Sequence, residues 1–131
     1  VMSIGNYAFS DCKTLVTVTI GNSVMSIGED AFANCNALTS VIIPNSVTRI
    51  GDGAFHLCYN LSRVKIAKGV TEIGNYAFGY CDSLKSITIP ESVTSIGEAF
   101  LFCNGLTNIE VAEDNLCYSS ENGILFDKLK E

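Results

Sequence analysis

Apolar residues recur along the chain at fixed positions of a unit of 23 residues. The unit begins with a valine at five places: Val1, Val24, Val47, Val70 and Val93. The apolar positions of the second unit, which the third and fourth units repeat, are Val24, Ile27, Ala31, Phe32, Cys35, Leu38, Val41 and Ile43. A single unit of this length cannot enclose its apolar side chains, whereas units stacked as the coils of a solenoid cover one another. The repeat therefore predicts a solenoid of five coils.

One part of each coil has the pattern of a strand. Residues 38–43 read L-x-x-V-x-I, which is the strand part of a leucine-rich repeat. Val41 and Ile43 alternate with Ser40 and Ile42, the period of two that is typical of a strand with one buried face. We expect equivalent strands of successive coils to lie in parallel, about 4.8 Å apart, on a concave face.

The segment after this strand turns the chain back. Pro44 and Pro90 end their strands because proline cannot donate to a ladder, and Gly21 and Ala67 hold that place in other coils. The pattern Ser-Val-Thr-x-Ile, at residues 46–50 for example, predicts a second short strand.

The rest of the coil is predicted to bend and turn. A glycine follows the short strand in every coil, at a bend that requires either positive φ or close backbone approach: Gly5, Gly28, Gly51, Gly74 and Gly97. Apolar residues at i, i+1 and i+4 within residues 31–35 predict one helical or 3-10 turn opposite the concave sheet.

The complete unit, S-V-T-x-I-G-x-x-A-F-x-x-C-x-x-L-x-x-V-x-I-P, resembles the repeat of the BspA-like leucine-rich-repeat family over about residues 1–111. The last part of the chain is similar to the segment N-x-x-Y-x-S-x-x-G-x-L-x that follows such arrays, through Tyr118, Ser120, Gly123 and Leu125. The resemblance implies a leucine-rich-repeat solenoid of a cell-surface or secreted protein. It further implies adhesion or binding to another protein, such as a host extracellular protein, without identifying the ligand.

The repeat pattern also predicts the organisation of the chain. We expect an array over residues 1–114 and a C-terminal tail over 115–131, which is either a cap or the start of a following segment. The fifth coil is one residue short, because Gly97 and Ala99 enclose only Glu98. Residues 123–126 have the pattern of a strand that covers the C-terminal edge. Since Val1 falls within a coil, we interpret the chain as a piece of a longer array.

Composition excludes several classes of partner. The chain has 131 residues and a formal net charge of −6, which argues against nucleic acid or an anionic membrane as the main partner. It has no run of about 18 apolar residues, so no membrane span is predicted. It shows no signal peptide, and the surface or secreted location rests on the family resemblance alone.

Five of the six cysteines share one place in the coil: Cys12, Cys35, Cys58, Cys81 and Cys103. Neighbouring Cβ vectors in such a column are parallel rather than convergent, which disfavours disulfides and predicts free buried thiols. No C-x-x-C pair occurs and no histidine shares the column, so no metal and no cofactor are predicted. Cys117 lies outside the column and is the candidate for a reactive thiol.

The sequence offers no set of residues for catalysis. The one histidine, His56, lies at a non-core position without a partner motif, and we interpret it as solvated. The acidic residues are scattered over turns, and the glycines recur at one structural bend. We therefore predict that the chain is not an enzyme, since catalysis would require a domain outside this sequence.

Outward positions of the predicted strands form the first candidate binding surface. The residues of this concave face that we single out are Thr19, Ile42, Arg63, Lys65, Thr88, Asn108 and Glu110. Arg63 and Lys65 would favour an acidic patch on a protein partner. The alternative is a solvated β surface on a structural spacer that projects other domains.

The position before each cysteine forms the second candidate surface. It holds Asp11 and Asn34 in the first two coils, and then the large apolar residues Leu57, Tyr80 and Phe102, which we call the apolar stripe. A continuous exposed apolar stripe predicts a contact site. Its partner is either the chain's own tail, which we favour, or another protein.

The first coil carries a third expectation. Stacking should leave apolar atoms of Val1, Ile4 and Phe9 at its open face, beside an unpaired strand edge. We expect such an edge to cause end-to-end self-association.

Overall fold

The computed structural model describes residues 2–128, in which eleven strands are wound into a solenoid. The strands are β1 (Ser3–Ile4), β2 (Ser26–Ile27), β3 (Ser40–Ile43), β4 (Arg49–Ile50), β5 (Arg63–Ile66), β6 (Glu72–Ile73), β7 (Ser86–Ile89), β8 (Ser95–Ile96), β9 (Asn108–Val111), β10 (Tyr118–Glu121) and β11 (Ile124–Asp127). Within residues 2–128 no helix is assigned, and accordingly none is long and apolar enough to cross a membrane.

The short strands form one five-stranded parallel sheet in the order β1-β2-β4-β6-β8. Equivalent isoleucines pair from coil to coil, as Ile27 does with Ile50 and Ile50 with Ile73. The register is therefore one coil per strand, and the predicted second short strand is confirmed.

The long strands also run in parallel, but they pair in twos: β3 with β5 and β7 with β9. After β5, the backbone N–H of Ala67 donates to the Ile43 carbonyl at 3.0 Å, and after β9 that of Ala112 donates to the Ile89 carbonyl at 2.9 Å. In the coils of β3 and β7 the same place is Pro44 or Pro90, which has no N–H to donate. Each proline thus removes a bond to the preceding coil, and between those coils the described residues form at most a single bridge, Thr17 to Ser40.

A stack of phenylalanine rings runs through the core. Ring centroids of Phe9, Phe32, Phe55, Phe78 and Phe100 follow one another at 5.2 to 5.7 Å, with planes within 11° of parallel. Phe32, Phe55 and Phe78 are completely buried, as the repeat predicted. Burial of such large apolar rings is the main source of stability in a repeat array.

The cysteine column adds hydrogen bonds between coils. The thiol of Cys58 donates to the Phe32 carbonyl at 3.2 Å, and that of Cys81 donates to the Phe55 carbonyl at 3.3 Å. All six cysteines are free, as predicted for the column. Burial raises the pKa of the Cys58 thiol to about 12, so this group stays protonated and acts as a donor.

The glycine bends serve close backbone approach rather than positive φ. The two glycines with positive φ among the described residues, Gly53 and Gly123, lie outside this column. A Cβ on Gly51 would lie 2.7 Å from the carbonyl carbon of Gly28, closer than real contacts allow. Any side chain at the bend would therefore push neighbouring coils apart.

The predicted helical or 3-10 turn is wrong in detail. The N–H of Ala33 bonds to the Asp30 carbonyl, and φ is positive at Asp30 (51°) and at Asn34 (60°). A helix requires consecutive right-handed residues, so a left-handed residue at each end limits the segment to single turns. These turns expose N–H groups toward the next coil; that of Phe32, for example, donates to the Ala54 carbonyl at 2.8 Å.

The tail folds as an antiparallel hairpin of β10 and β11. Asn122 and Gly123, both with positive φ, form its two-residue turn, as in hairpins whose turn matches the strand twist. The hairpin lies against β9: the N–H of Ile109 donates to the Gly123 carbonyl at 2.9 Å, and that of Val111 donates to Ser120 Oγ at 3.0 Å. The strand predicted at 123–126 is thus present, shifted by one residue and paired with β10, which the sequence did not predict.

Buried Asn115 connects this hairpin to the array. Its Nδ2 donates to the carbonyls of Pro90 and Val93, and its Oδ1 accepts from the N–H groups of Cys117 and Tyr118. All four bonds are 2.8 to 3.0 Å long, so the buried amide is well satisfied.

Candidate functional site

The candidate residues on the long-strand face project outward as predicted. Thr19, Ile42, Arg63, Lys65, Thr88 and Glu110 are exposed, and Asn108 is half-buried. Ladder pairing places Ile42 beside Lys65 and Thr88 beside Glu110. The interruption between β5 and β7 divides the face into these two groups, so the structure does not join all seven residues through one continuous ladder.

The two groups differ in character. In the first, Ile42 is 63 % exposed and lies next to the positive charge of Lys65. In the second, Asn108 Nδ2 donates to Glu110 Oε1 at 3.0 Å, which fixes a polar pair. The first group is therefore the part of this face with apolar surface to offer a partner.

The backbone of the apolar stripe is left-handed. Leu57, Tyr80 and Phe102 have φ of 63°, 59° and 60°, and Asp11 and Asn34 at the same coil position have 62° and 60°. Asp and Asn tolerate this conformation, whereas bulky residues rarely adopt it, at a cost of about 1–3 kcal/mol. Three coils thus place large apolar side chains where the backbone disfavours them.

The stripe belongs to an aromatic cluster that extends into two coils. Tyr80 and Phe102 stack with ring centroids 5.0 Å apart, and His56 meets the edges of Tyr80 and Tyr76 at 5.6 and 6.1 Å. Phe102 remains 52 % exposed and Tyr76 42 %. His56, interpreted from sequence as solvated, is half-buried between these rings.

A shallow groove of about 550 Å³ lies along this cluster. The side chains that matter for its chemistry are Asp30, Asp52, His56, Tyr76, Tyr80 and Phe102. Two glycines make room for it. Gly53 has no side chain beside the Asp30 carboxylate, and a Cβ on Gly79 would lie 3.1 Å from His56 Cδ2.

The groove is acidic. Glu29, Asp30 and Asp52 line it, and no lysine or arginine of the described part of the chain does. Burial, together with the negative charges of Glu29 and Asp52, raises the pKa of the Asp30 carboxyl, against the opposing effect of His56. Asp52 is held in place, because its Oδ1 accepts from the N–H of Asn75 at 2.9 Å.

Sequence reasoning found Tyr80 and Phe102 but missed Tyr76, Asp30 and Asp52. Asp30 and Tyr76 share a coil position with Tyr7 and Gly53, four residues before the stripe, and that column has no common chemistry. Its signal was the spacing alone. Only the offset between stacked coils brings Asp30 of one coil near Tyr76 two coils later, on opposite sides of Gly53.

The tail does not cover the stripe, contrary to the preference stated above. The hairpin lies against β9, and Phe102 remains half exposed. The tail's own apolar side chains also stay in solvent, with Leu116 85 %, Ile124 58 % and Phe126 48 % exposed. The stripe is therefore an exposed surface of the folded chain.

These surfaces can stack on, and pair with, a partner's side chains. Within residues 2–128, no three His, Cys, Asp or Glu side chains are grouped so that they could hold a metal ion. Aromatic rings beside carboxylates offer apolar contact and negative charge, the ingredients of a recognition surface.

Parallel strands repeated every 23 residues and joined by turns define a leucine-rich-repeat solenoid. The model of the BspA-type leucine-rich-repeat region matches residues 1–122 in six copies. The chain therefore belongs to the BspA-type leucine-rich-repeat family, as the sequence resemblance indicated.

Solved structures of bacterial repeat proteins are similar to the chain. A leucine-rich-repeat protein of Bacteroides ovatus is 43 % identical, with a TM-score of 0.78 over 86 % of this chain and 29 % of that chain. One from T. pallidum is 34 % identical, with a TM-score of 0.81 over 83 % of this chain and 51 % of that chain. A leucine-rich cell surface protein of Faecalibacterium prausnitzii is 32 % identical, with a TM-score of 0.78 over 98 % of this chain and 40 % of that chain.

The chain thus spans between 29 % and 51 % of the lengths of these three proteins. A search of curated proteins finds no match.

Proposed function

We propose that this chain is a non-catalytic, adhesion-type protein-interaction module of a cell-surface or secreted protein, with a host extracellular protein as its partner. The observation that carries the proposal is the exposed apolar stripe. Coils 1 and 2 keep the same backbone with Asp11 and Asn34, so stacking does not require Tyr80 or Phe102. Half-exposed aromatic residues without a scaffold role are typical of contact sites.

The location is proposed from similarity. The F. prausnitzii neighbour is a cell surface protein, and the family match spans most of the chain. Solenoids of this kind present extended surfaces to other proteins, which agrees with a role in binding.

The long-strand face is proposed as a second contact surface. Exposed Ile42 beside Lys65 and Arg63 suits a partner with an acidic patch around an apolar centre. It would act with the apolar stripe on a different face of the coil.

Capture of purified host extracellular-matrix and plasma proteins on the immobilised chain tests this function. Phe102→Ser should lose the captured protein, whereas Phe126→Ser should not; Phe126 in β11 is 48 % exposed against 52 % for Phe102 and is therefore a matched control. The double variant Arg63→Glu and Lys65→Glu tests the long-strand face in the same assay. Capture that neither face affects would contradict the proposal and favour a structural spacer.

Self-association of the module is also proposed, through the open face of coil 1. Phe9 is 43 % exposed there, and an apolar recess of about 380 Å³ is lined by Ile4, Phe9, Val18 and Ile20. Val1, which was predicted to contribute, lies outside the described residues.

A further inference from the structure

We propose that the groove beside the apolar stripe receives a lysine or arginine side chain from a basic, extended segment of the protein partner. This inference rests on the proposed function and specifies the chemistry of the partner. Its occupant is a cation with an apolar stem, which meets two features of the groove at once.

The first feature is the aromatic wall. Tyr80 and Phe102 stack on each other at 5.0 Å, which leaves outer ring surface exposed, and Phe102 is 52 % exposed. The methylene stem of lysine or arginine packs on such surface, and its charged end is attracted by the faces of aromatic rings. Tyr76, 42 % exposed, extends the wall along the groove.

The second feature is negative charge without a cation inside the groove. Asp30, Asp52 and Glu29 line it together, and the pKa of Asp30 is raised partly by its acidic neighbours. These carboxylates repel one another at neutral pH, and a cation placed among them relieves that repulsion. His56 is the one titratable group with basic character in the lining, and its ring is engaged by Tyr76 and Tyr80.

Other occupants fit less well. A purely apolar segment would remove water from Asp30 and Asp52 without giving them a hydrogen-bond partner. An acidic segment would be repelled. The absent side chains of Gly53 and Gly79 leave space for a single long side chain beside the Asp30 carboxylate.

Titration of the isotope-labelled 131-residue chain, followed by NMR, tests the inference. The probes are tri-arginine and tri-lysine peptides, with tri-glutamate, tri-alanine and the neutral sugar maltotriose as comparisons. We expect the two cationic peptides to shift the signals of Tyr76, Tyr80 and Phe102, and the comparison ligands to leave them unchanged. Equal shifts with tri-alanine, or shifts with maltotriose and none with tri-arginine, would overturn the proposal.

Charge variants separate the groove from the general acidity of the chain. Asp30→Asn combined with Asp52→Asn should weaken tri-arginine binding at least tenfold and keeps the acceptor that bonds to Asn75. The matched control removes the same charge from an exposed turn, as Glu113→Gln with Asp114→Asn, and should change the affinity less than twofold. Equal loss in both double variants would mean attraction to net charge alone and overturn the proposal. Tyr76→Ser, at an exposed position, gives a second reading should the aspartate variant fold poorly.

The two proposals fail in different ways. Tri-arginine binding in the groove without capture of any host protein would leave the inference standing and remove the adhesion function. Capture that depends on Phe102, without binding of either cationic peptide, would keep the function and overturn the basic partner.

Discussion

The first two coils and the last three build the same turn from opposite chemistry. Asn34 Nδ2 donates to Asp11 Oδ1 at 2.6 Å, and Asn36 Nδ2 donates to Asn34 Oδ1 at 2.8 Å, which makes a polar ladder. The equivalent residues Tyr80 and Phe102 instead stack their rings at 5.0 Å. Because φ is near 60° in both halves, the difference lies in the surface and not in the backbone.

This comparison separates scaffold from recognition. Asn and Asp are the residues that a left-handed turn favours, and coils 1 and 2 use them. Coils 3 to 5 forgo that preference, as expected where a surface is retained for contact rather than for folding. The aromatic half is also where Gly53 and Gly79 open the groove.

The largest expected effect lies in the core, where the two halves should not differ. Phe55→Ala and Phe32→Ala should each lower the free energy of unfolding by about 3–5 kcal/mol, because both rings are buried between two neighbours in the stack. Chemical denaturation measures the loss. A loss below about 1 kcal/mol for either variant would show that the ring stack does not support the coil.

A swap of residues between the halves should reveal the cost of the stripe. Asn34→Leu places a β-carbon-bearing apolar residue in a left-handed turn and removes its side-chain hydrogen bonds, so we expect a loss of about 1–2 kcal/mol. Phe102→Asn, at a half-exposed position, should change stability by less than about 0.5 kcal/mol. Thermal unfolding of both variants checks this, and an equal loss in the two would contradict a functional reason for Phe102.

The buried thiols should make the array sensitive to alkali. The pKa of Cys58 is about 12 in the folded chain against a model value of 9.0, so its contribution is complete below about pH 9 and declines as the pH rises toward 12. Between about pH 8 and about pH 10 we expect a loss of about 1 kcal/mol, since the unfolded thiol ionises first. Denaturation at both pH values measures it, with Cys58→Ala as the control that should lose less. Stability independent of pH would contradict the role of the protonated thiol as a donor.

The smallest expected effect is self-association of coil 1, with a dissociation constant on the order of millimolar. Phe9→Ser should abolish it because it removes the exposed end of the ring stack, whereas Tyr7→Ser, 57 % exposed on the turn face, should not. Sedimentation equilibrium at several concentrations distinguishes these outcomes. A monomer at all concentrations would count against the exposed end as a contact.

Much of the fold could be predicted because a strict repeat makes every apolar position meet its own copy. Phe32 above Phe55, Ile27 beside Ile50 and the free thiols of the cysteine column follow from the spacing of 23 residues. The outward direction of Ile42 and Lys65 follows from the alternation within a strand.

Tertiary structure alone decided the rest, because these features depend on where neighbouring coils sit. Pro44 and Pro90 were visible as strand ends, but their division of the long-strand face appears only when the coil before them is in place. The groove joins Asp30, Tyr76 and Phe102 from three coils, and no spacing within one coil relates them. Periodicity determines which residues a solenoid buries; the offset between stacked coils and the docking of the β10–β11 hairpin on β9 decide which residues remain exposed together.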